Sequence, residues 1–112
     1  MVLQSYTAVV ERSEPLSSEF ATEPYEAGWA REALIFIRIR EDTDGSPTVR
    51  ARVQISPDGL HWVDEGTQFP AIEQPGVYFV RVREFGTWLR VAGRVEPTGT
   101  AAKALVYIAL KE

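Results

Sequence analysis

Ser56, Asp58 and His61 bring the residue types of a nucleophile, an orienting acid and a base together within six positions. A Ser-His-Asp relay for acyl transfer is the chemistry such types would do. Their spacing argues against it. All three fall in "QISPDGLHWV", where Asp58-Gly59 is a tight-turn dipeptide between two short apolar runs. Glycine takes positive φ without steric cost, and an Asp side chain bonds the backbone just beyond itself. A triad needs its members held in line by separate elements, whereas one hairpin presents them as neighbours. His61 reads as a turn-flanking surface residue. With one histidine and no cysteine, a zinc site would rest mostly on carboxylates, which is unusual. Asp42, Asp44 and Asp58 could hold calcium in loops, but their spacing is not that of an EF-hand. "GVYFVRV" and "GTWLRVAG" carry no phosphate-cradling pattern. No catalytic residue, metal or cofactor is assigned, and an enzyme is not expected.

What remains for binding is cationic and aromatic. Ten arginines accompany only two lysines, Lys103 and Lys111. Arg38, Arg40, Arg50, Arg52, Arg81, Arg83, Arg90 and Arg94 occupy the outward positions of apolar runs, while the acids crowd the connections, as in Glu41, Asp42 and Asp44, in Asp58, Asp64 and Glu65, or in Glu19, Glu23 and Glu26. If Asp44-Gly45 closes a hairpin, arginines come opposite or diagonal to one another, which is mildly destabilising unless something anionic covers them. One reading leaves the arginines on a solvated sheet face, paired with loop acids. The other places a second subunit's acidic loops over them, since the planar guanidinium pairs bidentately with carboxylates and is enriched at interfaces. The expected interface is Arg38, Arg52, Phe79, Arg81, Arg83, Trp88 and Arg90, with Phe36 on the same outer rows. The alternative is a shallow glycan groove using Tyr25, Trp29 and His61, with Trp88, because exposed aromatic rings stack on sugars. Against that stands closure of the core by Trp29. Trp62 is expected to plug the sandwich near its corner.

The elements that must position these residues alternate with period two. "ALIFIRIRE", "TVRARVQI", "YFVRVRE" and "WLRVAGRV" each send apolar residues one way and arginines the other, and no stretch has period 3.6. "KALVYIAL" is apolar on both faces and is expected to be central or covered. "QSYTAVVE" is a weaker first strand. "EDTDGSP", "SPDG", "EQPG", "FG" and "EPTGTA" punctuate the runs. The fold expected is all-β, an antiparallel β-sandwich of jelly-roll type with about eight strands. A Phe85-Gly86 hairpin would set Val82 opposite Leu89 and Val80 opposite Val91, inward facing inward; a four-residue loop is the other possibility.

The 112 residues suffice for one core and read as a single domain, 1–112, with 1–32 an irregular N-terminal strand or arm region. A net charge of −4 argues against general nucleic-acid binding, which needs a positive surface to displace counterions. No apolar run approaches the ~18 residues of a membrane span, and no signal peptide is expected. A disulfide framework is excluded without cysteine.

"VQISPDGLHWVDEG" resembles the Ser-x-Asp-Gly-x-x-Trp hairpin of small β-sandwich modules, including discoidin-type galactose-binding domains. Residues 33–112, from "LIFIRIRED" through "GVYFVRVREFGTWLRVAGRV" to the terminal alternating strand, resemble short virion proteins of tailed bacteriophages and related capsid-like particles. The turn at Glu96-Pro97-Thr98-Gly99-Thr100 departs from the commoner form, which has glycine directly after the strand. The resemblance implies a capsid decoration (cement) subunit, or another small structural component of a large particle, on a virion surface or in cytoplasmic assembly. Its implied partners are copies of itself or a major shell protein, with no nucleic acid and no membrane.

Overall fold

The computed structural model describes residues 5–11, 16–17, 19–41, 43, 45–97 and 99–112, with side chains from residue 19 onward. Eleven strands follow along these residues: β1 (Ser5–Glu11), β2 (Leu16–Ser17), β3 (Glu19–Ala21), β4 (Tyr25–Glu26), β5 (Glu32–Ile39), β6 (Thr48–Ser56), β7 (Val63–Gln68), β8 (Gly76–Arg83), β9 (Trp88–Glu96), β10 (Ala101–Ala102) and β11 (Ala104–Lys111). One sheet has the order β1-β11-β5-β8. The other runs β3-β9-β6-β7, with β4 also on β9, and β2 pairs only with β10.

Every pairing is antiparallel and the pairs are nested: β1 with β11, β3 and β4 with β9, β5 with β8, β6 with β7. With β3 and β4 counted as one interrupted edge, this is the eight-stranded jelly roll, a long double ribbon folded over so that its arms alternate between two sheets. The expected all-β sandwich is the fold. β11 lies between β1 and β5, the central place its two apolar faces indicated.

Alternation then decides what is buried. Ile35, Ile37, Val49, Val53, Val82, Leu89, Val91, Val106, Ile108 and Leu110 are all at most 1% exposed. Fully burying each such side chain contributes about 1.5–3 kcal/mol. Phe69, Ile72 and Phe85, from the connections between strands, close the same core.

The expected hairpin at Phe85-Gly86 does not form, and the expected Asp44-Gly45 turn includes Asp44, which lies outside the described residues. β8 pairs with β5 while β9 pairs with β6, so residues 84–87 cross from one sheet to the other. Glu84 and Gly86 take the left-handed φ of 56° and 67°, and Phe85 turns its ring into the core. β5 and β6 also lie in different sheets, which removes the expected facing of Arg38 and Arg40 against Arg50 and Arg52. Inward matching could not detect this, because both inner faces of a sandwich are apolar.

The N-terminal region, expected as an irregular strand or arm region, contributes β1, β3 and β4, which pair with β11 and β9 of the same chain. Thr22 continues the β3 edge, its hydroxyl oxygen accepting the Val91 N–H at 3.0 Å.

Candidate interaction surfaces

The outer face of the first sheet is built by register alone. Phe36 is opposite Phe79 on one side and Tyr107 on the other, so three rings line up across β8, β5 and β11. The Phe36 and Phe79 rings are tilted at 35° with centroids 5.9 Å apart, within the range of favourable aromatic pairs. In the neighbouring rows Val77, Arg38 and Leu105 are aligned, as are Arg81, Leu34 and Ala109. Val77 and Phe79 are 64% and 55% exposed. Contiguous apolar surface of this kind, rimmed by charge, marks a contact site more often than isolated exposed side chains do.

The charges on this face are mostly cationic. Glu32 holds Arg81 at 2.8 Å and Arg83 at 3.9 Å, and Lys111 is in register beside it. Arg38 makes no ion pair with a described residue. Among the described residues, Glu32 is thus the carboxylate shared by Arg81 and Arg83.

The outer face of the second sheet is different in character. Arg50, Arg52, Gln54, Arg90 and Arg94 border a trough of about 740 Å³ floored by Ala92 and Gly93. Arg50 and Arg94 are directly opposite, and Glu96 clamps them, 3.3 Å from one Nε and 2.7 Å from the other. Those bonds and charges hold the Glu96 carboxyl below its ordinary range, the Arg50 bond contributing most. Asp64 is held down likewise by Gln54 and then Arg52. Arg90 Nε donates to Gln54 Oε1 at 2.8 Å and its guanidinium lies 4.3 Å from the Trp62 ring centroid, a cation–π contact. Trp62 thus sits on this outer face under Arg90, not inside the sandwich.

Between these faces, at the end of β6, Ser56–Trp62 forms a braced corner. The Asp58 and Gly59 N–H groups donate to Ser56 Oγ at 3.2 and 2.8 Å, and the Ser56 hydroxyl donates to Asp58 Oδ1 at 3.0 Å. The Leu60 and His61 N–H groups donate to Asp58 Oδ1, each at 2.9 Å, and His61 Nδ1 lies 2.7 Å from Asp58 Oδ2. The backbone bond from His61, then that from Leu60, pulls the Asp58 carboxyl well below the ordinary range. Gly59, at φ 79°, carries the Trp88 ring so close that a Cβ would meet it at 3.3 Å. Ser56, Asp58 and His61 are therefore bonded to one another as a turn, with Asp58 occupied by backbone and no separate element aligning a nucleophile. Leu60, in the turn, is 78% exposed, and Val63, at the start of β7, is 59% exposed.

The arginine-bearing set expected as one interface divides between the two outer faces. Arg38, Phe79, Arg81 and Arg83 are on the first sheet; Arg52, Trp88 and Arg90 are on the second. Of the glycan candidates, Tyr25 packs against the core from β4 opposite Leu89, Trp29 is an exposed turn residue, Trp88 lies against Gly59 of the corner that carries His61, and none of the four lines the trough. Val77, Leu105 and Tyr107 were missed; the two-sided apolar pattern of "KALVYIAL" was the signal for the last two. Among the described residues no group of three or more His, Cys, Asp or Glu could hold a metal ion, and no helix is long and apolar enough to cross a membrane.

In fold the chain is similar to YomS, a protein derived from the SPBc2 prophage. That likeness has a TM-score of 0.65 and 11% identity, and covers 100% of this chain and 96% of YomS. It is also similar to a protein from the structure of Bacillus endospore appendages, which form a family of disulfide-linked pili (TM-score 0.55, 12% identity, 98% of this chain and 85% of that one). At such identities the likeness is one of fold, and it says nothing of the discoidin-type hairpin. No curated protein matches the sequence. Residues 43–112, which hold β6 to β11 and make up more than half of the sequence, match a domain of unknown function, and the chain belongs to that family, DUF6385.

Proposed function

We propose that this chain is a non-enzymatic structural subunit that assembles noncovalently with copies of itself, and in the finer reading that it decorates a phage-like capsid particle. The observation that carries the proposal is the outer face of the first sheet, where Val77, Phe79, Phe36 and Tyr107 form an apolar tract open to solvent and framed by Arg38, Arg81 and Arg83. An antiparallel sheet that faced only water would be expected to carry polar residues there. The prophage origin of one fold neighbour and the appendage origin of the other support a part in a large assembly. The sequence holds no cysteine, so a disulfide-linked mode of assembly is closed to it and its contacts must come from burial and charge. Weak contacts repeated over an array suffice, since each further contact is made at high effective concentration.

The test is the sedimentation of the purified chain over a concentration series, alone and with the double variant Val77→Gln/Phe79→Gln. The wild type is expected to rise in mass with concentration and the variant to remain a monomer. A wild type that is monomeric throughout, yet binds a shell protein through the same face, would replace self-assembly with decoration of a foreign shell. A monomer that binds neither would end the structural reading.

A further inference from the structure

Among the described residues, the large apolar side chains most open to solvent fall into two pairs: Val77 and Phe79 on the first sheet, Leu60 and Val63 on the β6–β7 corner. The described charges near the pairs differ: arginines stand beside the first, and most of the acids of the β6–β7 connection lie beside the second. On the first, Arg38 is in register with Val77, Arg81 and Arg83 follow Phe79 along β8, and among the described residues these two arginines share Glu32. Asp58, Asp64 and Glu65 flank the second along the chain, with Arg52 on Asp64, His61 on Asp58 and Arg90 over Trp62 as the cationic or titratable groups facing the corner.

We propose that copies of this chain associate head to tail, the Leu60–Val63 corner of one seated on the Val77–Phe79 face of the next. This rests on the reading above that the face is a contact surface, and it names the occupant. Charge decides between the two ways a copy could cover that face. Pairing the face with itself would bring Arg38, Arg81 and Arg83 of one copy toward the same residues of another, and like charges so placed are repulsive. Seating the acidic corner there sets carboxylates near Arg38, which lacks an ion-pair partner among the described residues, and places apolar groups on apolar groups. The corner is also stiff: Ser56 and Asp58 bond its backbone from inside, and Trp88 backs Gly59. Presenting Leu60 therefore loses little conformational freedom on binding. Because donor and acceptor surfaces differ, the contact is heterologous, and it propagates as an open chain unless its rotation closes a ring.

Complementation between two variants tests this. Leu60→Gln/Val63→Gln removes the corner and leaves the face; Val77→Gln/Phe79→Gln does the reverse. All four positions are exposed, and matching circular dichroism and melting curves check that both variants fold. By sedimentation, the wild type is expected to grow beyond a dimer, and each variant alone to associate at least tenfold more weakly, a loss of about 1.4 kcal/mol or more. An equimolar mixture of the two should recover association and stop at a one-to-one dimer, because only one live corner and one live face remain. If the corner variant assembles as well as the wild type while the face variant does not, the head-to-tail proposal is wrong and the face is covered in some other way. If the wild type never associates, both the proposal and self-assembly fall together.

Discussion

Replacing Gly93 with Ala should unfold the second sheet more readily than any exposed glycine substitution would. Gly93 lies mid-strand in β9, opposite Ala51 of β6 and Phe20 of β3, and its φ lies outside the left-handed region, so conformational strain is not its problem. Space is. A Cβ there would sit 2.1 Å from the Arg50 carbonyl oxygen and 2.9 Å from the Ala51 Cα, so the paired strands would have to part by about 1 Å in a close-packed interior. Two or three cross-strand hydrogen bonds would be weakened at a net cost of about 0.5–1.5 kcal/mol each, and forced packing adds about 1–3 kcal/mol. The expected loss is about 2–7 kcal/mol, a large share of the roughly 5–15 kcal/mol available to a domain. At about 4 °C per kcal/mol for a chain of this size, the melting temperature should fall by about 8–28 °C. Gly45→Ala is the control: it meets no atom within 4 Å but has φ +73°, so it should cost about 1–2 kcal/mol. Thermal unfolding followed by circular dichroism separates the two. A Gly93→Ala protein that melts within about 3 °C of the wild type would refute the reasoning.

Acid should loosen the β6–β7 corner through Asp58. Its carboxyl is held below the ordinary value by the backbone bonds from His61 and Leu60, so its stabilisation is present above the unfolded pKa of about 3.9 and is lost as pH falls toward the folded value. Asp58→Asn should flatten the fall in urea midpoint between neutral and strongly acidic solution; an unchanged slope would count against the corner as drawn. Glu96→Gln should leave Arg50 and Arg94 facing each other with a weaker partner and lower stability in dilute buffer. The difference should shrink in 1 M salt, where the screening length is about 3 Å, and its absence at low salt would mean that the clamp is idle.

Strand existence and facing were readable because period-two alternation is a direct consequence of burying one side of a pleated ribbon. Ile35, Ile37 and Ile39, or Val49, Ala51 and Val53, could point inward only together. Strand partnership was not readable for the same reason. Val82 and Leu89 are both buried, and matched patterns describe partners in different sheets as well as neighbours in one. Phe85 was the available clue, because an aromatic residue in a short connection is easier to bury where the chain crosses the end of the sandwich. The arginines were recognised as outward, but the sheet each belonged to depended on partnership, so one supposed stripe became two faces. Trp62 was misplaced because a ring beside a turn can be covered from outside by a guanidinium as well as from inside by the core. The Asp58-Gly59 turn was legible from two residues, whereas the exposure of Leu60 depended on the bonds that Ser56 and Asp58 make beneath it.

The central claim is that the outer face of the first sheet is buried when copies meet. Hydroxyl-radical footprinting of dilute and concentrated protein, read residue by residue by mass spectrometry, tests it most directly. Phe36, Phe79 and Tyr107 should lose reactivity as the protein associates, while exposed Trp29, which lies on neither proposed surface, should keep its own. An assembled sample in which those three rings stay as reactive as in the monomer would contradict the account.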